Sequence, residues 1–189
     1  FEYYESQVAE TAYLDSTILY LQTAAALGSP RFDGQDEYAL GGALYGKGSF
    51  ARAIPVLQRA VVRNPAHARA YLLLGRSFLA MDRLQDASRA FGKGIQSQPR
   101  FVENYLGMSE SLILTEQYDQ AIIYAERALA LDSLSYAEAY YRKGMAHHNK
   151  KNLVGAREQY ERALQLDPDY ASALLNAGAT FMLESKWSQ

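Results

Sequence analysis

A spacing of 34 residues, with one slip to 35, rules this 189-residue chain. Glycine or serine returns at Gly41, Gly75, Ser109, Gly144 and Gly178, and alanine at Ala53, Ala87, Ala121 and Ala156. A second small residue returns at Ala60, Gly94, Ala128 and Ala163, and a helix stop at Pro65, Pro99, Ser133 and Pro168. Self-similarity at such a period marks one supersecondary unit copied in series, each copy burying its apolar face only against its neighbours. Whatever one unit is, most of the chain must be a stack of it. A stack of this kind offers a long surface for holding other molecules and no obvious pocket for chemistry.

Each unit reads as two helices. From Ala68 to Met81, Tyr71, Leu74, Phe78 and Met81 fall on one helical stripe. Asp82-Arg83 makes a short turn, and Leu84 to Ser97 forms a second helix with Ala87, Phe91 and Gly94 on one face. Pro99 then prevents continuation, because it lacks an N–H and crowds the preceding turn. The third unit repeats this with Tyr105, Leu112, Tyr118, Ala121 and Ala128, the fourth with Tyr140, Gly144, Leu153, Ala156, Tyr160 and Ala163. Small residues where helices cross let the backbones approach, and large aromatics fill the space between.

The series Tyr71, Leu74-Gly75, Phe78, Ala87, Phe91, Gly94 and Pro99 resembles the tetratricopeptide repeat. The resemblance implies an all-α fold, a right-handed α-solenoid of antiparallel helix pairs. It covers four repeats at about 34–67, 68–101, 102–136 and 137–170, then a partial fifth over 171–189. Departures are Glu37 for the first aromatic of the first unit, Ser109 for a glycine and Ser133 for a proline. The extra residue near Leu134-Ser135-Tyr136 predicts a looser turn there. Residues 1–33 fall outside the pattern. Val8 to Ala12 and Leu14 to Leu27 read as helical, with Leu14, Ile18, Leu21 and Ala25 on one face, and Gly28-Ser29-Pro30 as the stop. A capping helix or degenerate repeat is expected. At the other end, the last helix is expected to expose Leu174, Ala177, Gly178 and Phe181, the face a second helix would cover.

Composition narrows the function. Hydrophobic residues are 49% and charged residues 21%, and the formal net charge is −2 with both signs interspersed. No stretch has the basic density to neutralise a row of phosphates, so nucleic acid is disfavoured as a partner. The longest apolar runs are far too short to span a bilayer. The absence of cysteine excludes disulfides and thiolate chemistry and selects no compartment. The chain opens on Phe1 without a signal-peptide pattern, as expected of a processed form or an excised piece.

The family resemblance implies that the first helix of each unit lines a concave groove. On that reading the inward stripe holds Tyr38, Gly42 and Tyr45, then Leu72, Arg76 and Leu79, then Leu106, Glu110 and Ile113. It continues with Tyr141, Met145 and His148, and with Leu175, Ala179 and Met182. Each trio is spaced i, i+4, i+7, which puts it on one helical face. A groove so apolar and aromatic suits an amphipathic helix or an extended peptide with large apolar anchors, unless a terminal helix of the chain itself fills it. Arg69 with Glu103 and Arg76 with Glu110 are 34 apart, so ion pairs between neighbouring units are expected, with a ligand carboxylate on Arg76 as the alternative. The lysine, asparagine and arginine set with which co-chaperone members of the family grip a terminal carboxylate is absent. In one register its positions hold Leu72, Arg76, Gly107, Glu138 and Arg142, and the neighbouring registers fit no better.

His67, His147 and His148 lack the i, i+4 partner a helical metal site needs, so no metal and no cofactor is expected. No nucleophile–base pair or phosphate loop stands on a suitable strand–helix unit, and catalysis in this stretch is not expected. The reading is a protein-binding scaffold for complex assembly. Its alternatives are self-association through the fifth unit's helix and a recruiting arm of a larger enzyme.

Overall fold

The structure, a computed structural model, describes residues 2–28, 33–132 and 136–187, and among them every regular element is a helix. After α1 (Glu2–Ala26) come four helix pairs: α2 (Gly34–Gly46) with α3 (Phe50–Arg63), and α4 (Ala68–Ala80) with α5 (Leu84–Ser97). The others are α6 (Val102–Leu114) with α7 (Tyr118–Leu131), and α8 (Ala137–Asn149) with α9 (Leu153–Leu166). Helix α10 (Ala171–Trp187) follows them. First helices have 13 residues and second helices 14, and α10 has 17. The chain divides into two compact units, Phe1–Pro99 and Arg100–Gln189. The fold class is all-α, helix pairs in series, of the α-solenoid kind.

The turn within each pair is the same in all four copies. Gly48, Asp82, Glu116 and Lys151 all sit at positive φ, between 56° and 68°. The N–H of the next residue reaches back five places, from Ser49 to Leu44, Arg83 to Phe78, Gln117 to Leu112 and Asn152 to His147, at 2.8–2.9 Å. That is the left-handed stop that ties off a helix end and reverses the chain in three residues. Glycine takes this conformation freely, and the other three bear a steric cost. Side-chain caps are used at three helix starts: Asp33 on α2, His67 on α4 and Asn152 on α9. Asp33 accepts from the amides of Gln35 and Asp36, and Asp36 accepts from that of Asp33, a reciprocal cap on α2.

The repeated small residues are where the helices touch. Ala53, Ala87, Ala121, Ala156, Ala60, Ala128 and Ala163 have no exposed surface. A Cβ on Gly41 would lie 2.5 Å from Leu57, on Gly75 2.5 Å from Phe91, and on Gly144 2.5 Å from Tyr160. Each of these first helices thus cradles a large side chain from its second helix. Ser109 has the glycine's place in the third pair, and the position facing it in the repeat holds Ala125 instead of a large side chain. Both are fully buried, and the serine hydroxyl donates to the Ala121 carbonyl at 2.8 Å. The departure is a swap of volume between facing helices.

In the first unit, α1 is one continuous helix, not two segments broken near Tyr13. Leu14, Ile18 and Leu21 turn towards α2, but Ala25, expected on the same face, is exposed. Asp15 pairs with Lys47, and Gly28 closes the helix at φ 62°. Ser29 and Pro30, and the slip at Ser133 to Ser135, lie outside the described residues. In the second unit, α10 runs on past the point where earlier first helices end. Leu174, Gly178 and Phe181 are exposed as expected, and Ala177 is half-buried. No described helix is long and apolar enough to cross a membrane.

Candidate functional site

The face presented by the first helices is built separately in the two units. In the first, Tyr38, Tyr45, Arg76 and Leu79 are half-buried, leaving part of each side chain for contact. The Tyr38 ring lies 4.3 Å from that of His67, and Tyr45 meets the edge of Phe50 at 5.4 Å. His67 precedes α4 as its cap. Its Nδ1 accepts from the Ala70 amide at 3.3 Å, which leaves Nε2 to donate to Gln35 at 3.3 Å. Burial, with Arg69 adding repulsion, lowers its pKa. Leu72, expected in the groove, is 8% exposed and belongs to the packing. Nearby, Glu37 occupies the place that Tyr71, Tyr105 and Tyr140 take in later repeats. It is 1% exposed, with Arg59 Nε at 3.1 Å and Arg63 Nε at 3.0 Å. A buried carboxylate is tolerated there because two cations one helical turn apart on α3 close over it.

In the second unit, Glu110, Tyr141, Met145 and His148 are half-buried, while Leu106 is only 2% exposed and Ile113 6%, two more groove positions absorbed by packing. Glu110 is held by Arg142 at 3.1 Å, and Arg142 also reaches Glu138 at 2.8 Å. Burial pulls the Arg142 guanidinium down, but Glu110 and Glu138 outweigh it and the net shift is upward. Glu103 hydrogen-bonds Tyr136, whose pKa is raised by burial and by that carboxylate. The Tyr141 ring lies tilted against that of Tyr170 at 5.1 Å, and its hydroxyl accepts from the Asn176 amide at 3.0 Å. Burial and Glu138 push Tyr170 up to about 12.

The histidines are satisfied by neighbours. Thr180 gives its only proton to the Asn176 carbonyl at 2.7 Å, so His148 Nδ1, 3.1 Å away, must be the donor. His147 Nδ1 lies 3.2 Å from the Asn152 amide nitrogen, which places its own proton on Nε2. Burial first, then nearby lysines, lowers the pKa of both. Among the described residues no three His, Asp or Glu side chains gather as metal ligands would.

Sequence reasoning does not single out Arg142, Asn176 and Thr180, although a signal for Arg142 and Thr180 exists. Gln35 with His67, Glu110 with Arg142, and His148 with Thr180 are each separated by 32 residues. Side chains lean towards the amino end of their helix, and neighbouring helices cross at an angle. Gln35 with His67 and His148 with Thr180 are therefore staggered by two from the 34-residue step, and Glu110 with Arg142 by three from the 35-residue step.

Comparisons with known proteins agree with this architecture. Residues 38–100, 102–133 and 137–170 each match the tetratricopeptide repeat. The human Protein O-mannosyl-transferase TMTC1 is 26% identical over 151 residues, covering 78% of this chain and 17% of that protein. The chain spans less than a quarter of the length of the curated relatives it matches. Among solved structures, TTC0263 of Thermus thermophilus, a thermophilic protein of this repeat type, superposes with a TM-score of 0.72 at 19% identity. It covers 94% of this chain and 95% of its own. YrrB, a protein of this repeat type with an unusual peptide-binding site, gives 0.66 at 23% identity over 86% and 83%.

Proposed function

This chain belongs to the tetratricopeptide-repeat family, and from that premise we propose that it is a scaffold holding a peptide or helix of a partner protein for complex assembly. The observation that carries the reading is the apolar, open face of the first helices. On α10, Leu175 is 75% exposed and Met182 62%, and both fall on the stripe that continues Tyr141, Met145 and His148 on α8. Exposed apolar clusters of this kind mark contact sites. Glu110 and Glu138 around Arg142 leave one net negative charge beside that stripe, which favours a partner carrying a lysine or arginine among its apolar anchors. In the first unit, Tyr38, Tyr45, Arg76 and Leu79 play the same part. YrrB supports peptide binding as a use of this fold.

The chain's roles are binding and positioning, without catalysis of its own. A second reading, self-association, is favoured by a different face of α10. There Leu174, Phe181 and the bare Gly178 form the surface that Gly75 and Gly144 present to Phe91 and Tyr160 in complete pairs. The small share of TMTC1 that the chain covers supports its serving as the recruiting arm of a larger enzyme.

The paired substitutions Tyr38→Asp with Leu79→Asp, and Leu175→Asp with Met182→Asp, test the first reading. Each should abolish capture of a crosslinked partner while leaving helical circular dichroism unchanged. Undiminished capture in both would remove the first-helix face as the site. Light scattering over a concentration series separates self-association, which a monomer at every concentration would exclude.

A further inference from the structure

On the side of the first unit formed by the second helices, α3 and α5 lean on α4 and leave a cleft of about 700 Å³ between them. Tyr71, Leu74 and Phe78 of α4, 5–7% exposed, close its floor, so the freely exposed apolar surface of the cleft is at its wall. Val62 of α3, 77% exposed, stands on one wall, and Ala90 and Gly92 on the other leave room where a larger side chain would fill it.

The corresponding place in the second unit is built differently. There the repeat puts Lys143 for Leu74, His147 for Phe78, Gln159 for Ala90 and Glu161 for Gly92, and Lys143 is bridged to Glu126 at 2.8 Å. The apolar lining of the cleft is thus replaced by polar residues at these positions of the second unit, which provide an internal control.

Its charge is also distinctive. Helices α3 and α5 carry five basic residues (Arg52, Arg59, Arg63, Arg89 and Lys93) against the single acid Asp86. Helices α7 and α9 carry three basic residues (Arg127, Arg157 and Arg162) against four acids (Asp119, Glu126, Glu158 and Glu161). Asp86 is already engaged by Arg83 at 2.6 Å and Arg89 at 3.6 Å. Lys93, exposed on the rim, forms no ion pair among the described residues. Arg59 and Arg63, each paired through Nε with Glu37, are about half exposed.

We propose that this cleft is a second docking surface, distinct from the first-helix face, and that it takes an acidic amphipathic helix of a partner protein. The occupant's apolar side chains would pack against Val62 and over Tyr71 and Leu74, with its carboxylates on Lys93 and Arg89. An apolar floor with a few cations at the rim matches alternating acidic and apolar side chains. A phosphate backbone would want a longer row of cations and no apolar floor.

Fluorescence anisotropy on the whole chain tests this, with a labelled synthetic helix of glutamate and leucine, its leucines spaced i, i+3, i+4, i+7. Saturable binding is expected, weakened about tenfold by Val62→Glu and by Lys93→Glu and further by added salt. Ala130→Glu and Arg162→Glu, at the matching positions of the second unit, should leave it unchanged. All four sites are exposed, so helicity should survive every substitution. Equal binding of a lysine–leucine helix would overturn the charge assignment. Binding lost on Leu79→Asp but kept on Val62→Glu would move the probe to the first-helix face and overturn the proposal. So would displacement of the probe by a single-stranded oligonucleotide with Val62→Glu without effect, the mark of a polyanion surface. Self-association abolished by Val62→Glu would make a second copy the occupant, and the proposal would fail.

Discussion

At the level of single residues, two positions show how the repeat is both kept and varied. The left-handed turn residue is glycine only in the first pair and Asp82, Glu116 or Lys151 in the others. Each non-glycine there is held against its own preference by the back-reaching hydrogen bond of the following residue. Glu116→Gly should therefore stabilise the chain by up to about 1 kcal/mol in chemical denaturation, the gain being reduced by the greater freedom of glycine in the unfolded state. Ser109 and Ala125 make a sharper case, because the third pair has exchanged a bulky second-helix residue for a bulkier first-helix one. Ala125→Tyr alone should destabilise by about 1–3 kcal/mol through overpacking. Adding Ser109→Gly should recover most of that loss, and a double-mutant cycle measures the coupling. In the sequence, Ser109 stands out only as a departure. Its compensation becomes visible once the facing position is known, since volume is conserved across the contact and not at either site alone.

At the level of helices, α5 spans Leu84–Ser97 as read, and α4 ends at Ala80, one residue before the expected Met81. These bounds are legible because small residues and stops are dictated by close approach within each copy. The lateral contacts are not, for they follow the stagger of crossing helices and not the repeat length. Hence Glu110 pairs with Arg142, and Leu72 and Ile113 are withdrawn into packing although periodicity puts them beside exposed neighbours. Helix α1 reads from sequence as two segments because no tertiary partner can be assigned to its first half, and weak periodicity alone does not distinguish a break from a continuous helix. The same lateral contacts give a pH dependence. His67, His147 and His148 all have pKa values lowered in the folded chain, chiefly by burial. Above the unfolded value of about 6.5 both states are neutral there and the full stability is present. As pH falls through about 6.5, the unfolded chain takes up protons first, so stability is lost down to the folded values. The melting temperature should thus be lower at acid pH than at neutral pH, and replacing all three with glutamine should flatten that difference.

For the molecule as a whole, family membership and composition point the same way. The chain carries a net charge of −2 on repeated helix pairs of a family whose fold supports protein interaction. Charge is distributed unevenly over it: the second helices of the first unit are basic and those of the second slightly acidic. One chain can then serve two chemically different contacts at once. The candidate groove is legible only as a row of positions, among which Tyr38 and Tyr141 are half-buried. Its electrostatics are not, because Arg142 takes its meaning from two glutamates on different helices. The most direct test of the scaffold is photo-crosslinking in an extract, with a benzophenone side chain placed singly at Leu79, at Leu175 or at Val154, an exposed position on the second-helix side of the second unit. Partner peptides joined at Leu79 and Leu175 but not at Val154 are the predicted result. Crosslinks at Val154 with none at Leu79 or Leu175 would contradict it.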